Sequence, residues 1–258
     1  MAGALFDFGK FCDAFACAAG SWGFVSEVLI ETEDGPVTAW LRGGEGPVVY
    51  ISAGIHGDEP AGPLALLQAM EAGWFTGNFQ WLICPALNPE GLMCGTRENR
   101  AGLDLNRDYL LRETAEVAAH TDWLSRQALP EVFISLHEDW EATGFYFYEI
   151  NLGEDDLALC AEILEAAGQT LPIETAREID GHIVREAGWI FHGTEADLPE
   201  AWPEAIWLAK RGCPRSFTFE TPSGADLAER VAAHLAAVSA VISPKRAVGL
   251  NAGRAGDS

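Results

Sequence analysis

The sequence predicts an α/β fold in which helices cover both faces of a mostly parallel sheet. Apolar runs of strand length alternate along the chain with longer segments whose apolar residues recur at helical spacing. Such alternation is typical of parallel sheets, whose strands are joined by helical crossovers. The strand-like runs are residues 48–55, 79–87, 131–136, 144–150 and 216–221, and the helical segments are residues 5–19, 62–72, 113–128, 154–168 and 225–242.

Length and composition indicate one domain with a large core. The chain has 258 residues, of which 48% are hydrophobic, and it shows neither an internal repeat nor an interdomain linker. We therefore expect a single domain over residues 1–258, with its core in residues 45–242 and a frayed tail in residues 244–258. Residues 5–42 are predicted to form an N-terminal helix and a β-hairpin. The other connections are predicted to be a turn at residues 88–91, an irregular segment at 93–109 and a loop-like segment at 169–203.

The charge balance excludes several classes of partner. The formal net charge is −23, from 39 acidic and 16 basic residues. Nucleic acids and anionic membrane surfaces both require clustered basic residues, and no basic stripe is visible. The first twenty residues lack a basic leader, and no run of eighteen apolar residues occurs. We therefore expect a cytoplasmic, soluble protein that binds neither nucleic acid nor membranes.

The stretch Gly54-Ile55-His56-Gly57-Asp58-Glu59-Pro60 joins a predicted strand to a predicted helix. Open α/β sheets place their sites at such junctions, outside the carboxyl ends of the strands. The two glycines allow a tight turn, so that the side chains of His56 and Glu59 can converge. An imidazole nitrogen and a carboxylate oxygen on one point form half of a zinc site.

Two further strand ends carry residues of matching chemistry. The apolar run at residues 131–136 ends in His137, and the run Phe217-Thr218-Phe219 ends in Glu220. Two histidines and one carboxylate are the ligands of hydrolytic zinc, which leaves its fourth position to water and lowers the pKa of that water to about 7. A second carboxylate must move the proton, and Glu220 is the candidate, because a charge at the end of an apolar strand needs a reason.

The segment from Thr96 to Arg107 supplies positive charge. An Arg near the metal can hold a developing oxyanion. Another Arg, backed by an Asn, can bind a carboxylate in bidentate fashion. Asp104 can accept the second ring N–H of a ligating His. An ordinary surface ion pair is the alternative role for Arg97, and a salt bridge to Asp104 or Asp108 is the alternative for Arg107.

In their order and spacing, these residues resemble the zinc carboxypeptidase A family. The match covers roughly residues 45–242, and the short bacterial members, including murein-peptide amidases, are the most similar. The resemblance implies an α/β/α sandwich around a mixed eight-stranded sheet and one bound zinc ion. The matching motifs are His56-Gly57-Asp58-Glu59, Asn88-Pro89-Glu90-Gly91, Arg97-x-Asn99, Gly102-Leu103-Asp104-Leu105-Asn106-Arg107, His137 and Phe217-Thr218-Phe219-Glu220.

The resemblance also implies a role for each candidate residue. They are the zinc ligands His56, Glu59 and His137, the catalytic base Glu220, the oxyanion holder Arg97, the carboxylate binders Asn106 and Arg107, and Asp104, which would orient His56. One departure concerns a Tyr that the family usually carries about twenty residues before the catalytic Glu, where it closes over the substrate. Residues 191–215 contain no Tyr. Either His192, Trp202 or Trp207 covers the site, or nothing does, and either Tyr146 or Tyr148 is expected to line the pocket.

The expected function is zinc-dependent hydrolysis of a C-terminal peptide or peptide-like amide, with a substrate that carries a free carboxylate. Two alternatives stay open. An N-acyl amino-acid deacylase, resembling aspartoacylases and succinylglutamate desuccinylases, shares His-x-x-Glu, Asp-Leu-Asn-Arg and a later His. A non-catalytic module would keep the pocket for a carboxylate ligand, although the complete set of ligands together with Glu220 argues against it.

Overall fold

The computed structural model describes residues 6–243, in which seven α-helices and ten strands follow one another along the chain. The helices are α1 (Phe8–Ser21), α2 (Ala61–Glu71), α3 (Pro89–Cys94), α4 (Ala115–Arg126), α5 (Leu157–Ala167), α6 (Glu204–Lys210) and α7 (Leu227–Val241). The strands are β1 (Val25–Thr32), β2 (Gly35–Arg42), β3 (Val48–Ala53), β4 (Gln80–Cys84), β5 (Val132–Asp139), β6 (Tyr146–Asn151), β7 (Glu178–Ile179), β8 (His182–Ile183), β9 (Trp189–Phe191) and β10 (Arg215–Pro222).

Eight of the strands form one mixed sheet in the order β1-β2-β4-β3-β5-β10-β6-β9. The four central strands β4, β3, β5 and β10 run parallel to one another. The β1–β2 hairpin and strand β6 join them antiparallel, and β9 pairs parallel with β6. Helices α1, α2, α5 and α7 pack on one face, and α4 and α6 pack on the other. The predicted α/β/α sandwich with a mixed, mostly parallel sheet of eight strands is confirmed.

The central strands are buried on both faces. Every residue of β3 is buried. Its alternate residues belong to different cores, because successive side chains of a strand point to opposite faces. Ile51 lies in the core under α2 and α7, whereas Tyr50 lies in the core under α4. Because β3, β5 and β10 are parallel, their carboxyl ends meet at one edge of the sheet, and this edge carries the predicted site.

Two connections and one helix differ from the sequence-based expectation. Residues 88–91 do not form an isolated turn but begin α3, with Asn88 as its N-cap. The Asn88 side chain accepts the Gly91 N–H at 2.9 Å, and Pro89 occupies the first turn, so that the residues typical of turns also start a helix. The loop-like segment 169–203 contains the β7–β8 hairpin and the edge strand β9. Helix α6 was not foreseen, because seven residues are too few to show a helical period.

The predicted N-terminal helix begins at Phe8, where the Asp7 side chain accepts the Lys10 N–H. The predicted β-hairpin is present as β1 and β2. The predicted tail at residues 244–258 lies outside the described residues. Within residues 6–243, no helix has both the length and the apolar character needed to cross a membrane.

Candidate metal centre and its pocket

The turn after β3 brings His56 and Glu59 to the carboxyl edge of the sheet. Gly54 has a left-handed φ of 64°, a conformation that favours glycine. Gly57 lies against the backbone of Gly91, where an added Cβ would lie 1.7 Å from the Gly91 carbonyl carbon. Both glycines of the motif are therefore required by the geometry of the turn.

His137 and Glu220 reach the same edge from neighbouring strands. His137 lies near the end of β5, and its register partner on the parallel strand β10 is Glu220. On its other side, Glu220 is paired with Tyr146 of β6. Register partners project from the same face of a sheet, about 4.8 Å apart along the hydrogen-bonding direction. The strand register thus places a carboxylate beside the second imidazole.

Two imidazoles and one carboxylate converge at this edge. Nδ1 of His56 lies 2.6 Å from Oε1 of Glu59, and Nδ1 of His137 lies 2.9 Å from Oε2 of the same carboxylate. The two imidazole rings are 5.1 Å apart between centroids. All three side chains are buried. One ligand atom from each of the three residues lies within 4.8 Å of the others, close enough for one metal ion.

The electrostatics of this cluster favour a cation at its centre. Burial opposes ionisation of Glu59, but the two imidazoles outweigh it and hold the pKa of the carboxyl below its usual range. Burial likewise opposes a charge on His56, but Glu59 and Asp104 raise the pKa of that imidazole to about 9. Burial lowers the pKa of His137. In the absence of metal the cluster therefore holds a carboxylate, a neutral imidazole and one positive charge on His56, which a metal ion would replace by displacing a proton.

Asp104 and Arg97 lie directly behind the cluster. The Nε2–H group of His56 donates to Oδ1 of Asp104 at 3.1 Å, which leaves Nδ1 to face Glu59. Nε of Arg97 donates to the other oxygen of Asp104 at 3.0 Å. The Nη1 atom of Arg97 lies 3.5 Å from Oε1 of Glu59. Asp104 thus contacts the first imidazole, and Arg97 places a guanidinium next to the candidate ligands.

Asn106 and Arg107 follow on a short 3₁₀ turn whose first free N–H groups are capped by Asp104. Oδ1 of the buried Asn106 accepts the Glu204 N–H at 3.0 Å. The NH₂ group of the same amide is therefore the part that can donate to a carboxylate. The exposed side chain of Arg107 donates from Nη1 to the Asn106 carbonyl at 3.0 Å. Both residues line the pocket described next.

One cavity of about 470 Å³ collects seven of the eight predicted site residues, while Asp104 lies behind His56. This volume falls within the usual range for small-molecule sites. Glu220 faces this cavity and is partly buried. Burial, together with the charges of Glu59 and Asp139, raises the pKa of Glu220 well above its usual value. Perturbed carboxyl groups of this kind are typical of functional clefts.

The floor of the cavity holds a residue that the sequence did not reveal. Glu204, at the start of α6, is buried and lines the cavity. Its two carboxylate oxygens accept hydrogen bonds from the hydroxyl groups of Tyr50, at 2.6 Å, and Ser52, at 2.7 Å. Burial raises the pKa of Glu204 to about 7, although both hydrogen bonds oppose the shift. His120 of α4 is also fully buried, and its Nε2 lies 2.7 Å from the Tyr50 hydroxyl oxygen.

The structure also separates the candidates for covering the site. Tyr146, Tyr148 and His192 line the cavity. Trp202 and Trp207 do not line it, because Trp207 packs against Tyr109 and the indole N–H of Trp202 donates to the carbonyl of Pro199. Trp140 also lines the cavity, and its side chain is 79% exposed.

Solved structures share this fold across most of the chain. A candidate metallopeptidase from Shewanella amazonensis is 25% identical, with a TM-score of 0.80 and 92% of each chain covered. A metallo-carboxypeptidase from Burkholderia cenocepacia is 19% identical, with a TM-score of 0.67 and coverage of 90% of this chain and 68% of that one. Bovine thrombin-activatable fibrinolysis inhibitor, solved with a tick carboxypeptidase inhibitor, is 16% identical, with a TM-score of 0.69 and coverage of 95% and 97%. No curated protein sequence matches the chain.

The fold is that of carboxypeptidase A-like proteins, and with the family match given next it defines the chain as a hydrolase. Within that class the family is given by the sequence itself. The family model for the succinylglutamate desuccinylase/aspartoacylase catalytic domain matches residues 45–186. This range includes the His56 turn, the segment from Thr96 to Arg107, and His137. The chain belongs to this family.

Proposed function

We propose that this hydrolase is a zinc-dependent metallocarboxypeptidase, which cleaves a C-terminal peptide or peptide-like amide bond. One observation carries the proposal: two imidazole Nδ1 atoms and a carboxylate converge in a cavity that also holds Glu220, Arg97 and Arg107. This combination provides ligands for a metal, a base, and positive charge for both an oxyanion and a carboxylate.

The donor set of His56, Glu59 and His137 fits zinc. Two nitrogen donors and one oxygen donor are a common catalytic ligand set, and they leave a further position open. When bound there, zinc supplies Lewis-acid chemistry, since it activates water at neutral pH and polarises a carbonyl. Asp104 fixes the ring of His56 through Nε2, an arrangement that orients the ligand and strengthens its basicity.

Glu220 is the proposed general base and general acid. Glu220 is the register partner of His137, so its carboxylate lies next to the candidate ligands. Glu220 is not itself one of the three candidate ligands. It takes a proton from the attacking water and returns it to the leaving nitrogen. Burial raises the pKa of Glu220, and the charge of Glu59 raises it further. A cation among the ligands would offset the repulsion from Glu59 and favour the ionised, basic form of Glu220.

The cationic residues divide between two tasks. Arg97 lies within 3.5 Å of Glu59 and would stabilise the oxyanion that forms beside the ligands. Arg107, with the amide of Asn106, would bind the free carboxylate of the substrate. The overall net charge of −23 repels anions, so a carboxylate substrate depends on these local contacts.

An N-acyl amino-acid deacylase is the second candidate, because the family of this chain is named for a succinylglutamate desuccinylase and an aspartoacylase. The same base, the same ligands and the same carboxylate contacts serve both reactions. The substrates differ only on the acyl side, where a peptide presents an amino acid and an acyl amino acid presents a simple acid.

The test combines one variant with two sets of substrates. Glu220→Gln is expected to keep its zinc, measured by elemental analysis, and to lower kcat by about 10²- to 10⁴-fold, the usual contribution of a general base. The matched control is Glu141→Gln, which removes the same charge at an exposed position on the same cavity. A panel of peptides with free C-termini and of N-acyl amino acids then separates the two candidates. A zinc-loaded wild type that hydrolyses neither set, or full activity in Glu220→Gln, would contradict the proposal.

A further inference from the structure

A second group of metal-ligating side chains lies on the wall of the same cavity. His182, His192 and Asp197 each offer a ligand atom, and these atoms lie within 4.8 Å of one another. All three residues line the cavity, as do Tyr148 and Asp180 beside them. None of them takes part in the proposed hydrolysis, and His192 and Asp197 lie in residues 191–215, where the sequence has no Tyr. We call these three residues the rim cluster.

The distances within the rim cluster match the spacing of metal ligands. Nε2 of His182 lies 3.3 Å from Oδ2 of Asp197, and Nε2 of His192 lies 3.5 Å from Oδ1. Ligands about 2.0–2.1 Å from a tetrahedral zinc ion are separated by about 3.3–3.4 Å. The two imidazole rings are 4.8 Å apart between centroids.

The hydrogen bonding of His192 makes Nε2 the ring nitrogen that faces Asp197. Nδ1 of His192 lies 2.7 Å from the carbonyl of Gly193, so it carries the proton and donates it. In the tautomer that keeps this proton on Nδ1, Nε2 carries the lone pair that can ligate a metal, and it lies 3.5 Å from Oδ1 of Asp197. A second ring N–H held by a carbonyl is also the usual arrangement for a histidine that ligates a metal.

The backbone fixes the positions of these ligands from different pieces of structure. His182 lies in the β7–β8 hairpin, and His192 directly follows β9, where its N–H donates to the Glu149 carbonyl at 2.8 Å. Tyr148 contacts both rings, with centroid distances of 5.6 Å to His182 and 6.1 Å to His192. Its hydroxyl group donates to Asp180 at 3.2 Å. Asp197, 68% exposed, is the outermost of the three ligands.

We propose that the rim cluster is a second metal site, which binds a divalent transition-metal ion of the zinc class through His182, His192 and Asp197. Imidazole donors favour such ions over Mg²⁺ and Ca²⁺, which prefer oxygen. A bound ion joins the β7–β8 hairpin, the end of β9 and the loop at Asp197 into one rigid wall of the cavity. Three protein ligands leave a further position for water or for a substrate carboxylate.

The experiment is equilibrium dialysis of the full chain against Zn²⁺, with metal content measured per chain. The wild type is expected to bind two ions, while His192→Ala and His56→Ala each bind one. Asp197→Asn, at an exposed position that should not affect folding, is expected to weaken the second site by at least about tenfold, because losing a ligand costs no less than losing an outer-shell partner. The matched control is Asp180→Asn, which makes the same charge change at another residue that lines the cavity and should still bind two ions.

Several outcomes would overturn the rim site. They are a wild type that saturates at one ion lost in His56→Ala, a His192→Ala variant that still binds two, an Asp197→Asn variant with unchanged affinity, or full displacement of the second ion by a hundredfold excess of Mg²⁺. A single ion that is lost in His192→Ala but kept in His56→Ala would support the rim site and contradict the proposed catalytic centre. The two proposals therefore fail separately.

Discussion

The two candidate metal sites share one cavity but are built in different ways. His56, Glu59 and His137 are buried and stand at the ends of parallel central strands. The side chains of the rim cluster are 22%, 11% and 68% exposed and come from a hairpin, a strand end and a loop. Water competes weakly for the first site and strongly for the second. A buried site of this kind can perturb pKa values and hold an ion tightly, whereas an exposed site exchanges its ion with solvent.

This difference assigns separate tasks to the two ends of the cavity. At the sheet edge, the backbone hydrogen bonds of β3, β5 and β10 hold the candidate ligands and the base in register. Reaction chemistry needs that precision, because small displacements of catalytic groups cost large factors in rate. At the rim, β7 and β8 pair through only two residues each, so the structure of this cavity wall can vary more easily. Variation there would change the fit of the substrate without disturbing the centre.

The largest expected effect concerns Glu204, on the buried floor of the cavity, and is measured as a change in the free energy of unfolding. Glu204 ionises near pH 7 in the folded chain, against an ordinary value of 4.5. Its contribution to stability is therefore fully present below pH 4.5 and is lost as the pH rises through 7. The Glu204→Gln variant has no ionisable group at this position. We therefore expect its free energy of unfolding, relative to that of the wild type, to rise by about 2 to 3 kcal/mol between pH 5 and pH 8.

Urea unfolding of metal-free protein at several pH values measures this difference. Glu204 also helps to raise the pKa values of Tyr50, Tyr109 and Cys84, but these groups ordinarily titrate at pH 9 or above, outside this window. Glu141→Gln, an exposed carboxyl on the same cavity, should follow the wild type at every pH. Parallel curves for Glu204→Gln and the wild type would show that Glu204 is not held in its neutral form.

A smaller effect is expected from the group that orients the first imidazole. Asp104→Asn replaces the acceptor of the His56 Nε2–H with a weaker one. We expect a 10- to 100-fold loss of zinc affinity at the buried site, the usual result of losing an outer-shell partner, and no change at the rim. Competition against a chelator measures both affinities. Asp180→Asn is the control of equal charge, and an equal loss at both sites would show a general electrostatic effect instead.

The smallest effect concerns the rim without metal. In chelator, Asp197→Asn removes only exposed contacts with His182 and His192, so its free energy of unfolding should change by less than about 1 kcal/mol. Thermal or urea unfolding measures the change. A loss of several kcal/mol would mean that Asp197 already stabilises the cavity wall without an ion, and the contrast between a rigid edge and an adjustable rim would then be wrong.

The parts of this molecule that the sequence predicted are those with strong local signals. The runs that became β3 and β5 are mostly apolar on both faces, and the run that became β10 is apolar on one face. All three lead into polar residues at the same edge of the sheet, so the convergence of His56, His137 and Glu220 was predictable from the pattern. The glycines at 54 and 57 likewise marked a turn that only glycine can make.

The parts that were missed depend on contacts between distant segments. Glu138 is buried, accepts the Ala61 N–H and forms an ion pair with Arg230. Nothing local to Glu138 identifies an arginine 92 residues away. Glu204 was missed because its hydrogen-bond partners, Tyr50 and Ser52, lie far away in the sequence. Strand β9 was missed because it is defined by its pairing with β6.

The close approach of Gly57 to Gly91 has a consequence for protein engineering. The two backbones meet so tightly that neither the His-x-x-Glu turn nor the start of α3 can be moved independently. The Gly57 N–H donates to the Thr96 carbonyl, just beyond α3, which ties the same two pieces a second time. A designer who transplants this turn into another scaffold must include residues 88–96, because otherwise the His56 imidazole will not keep its orientation.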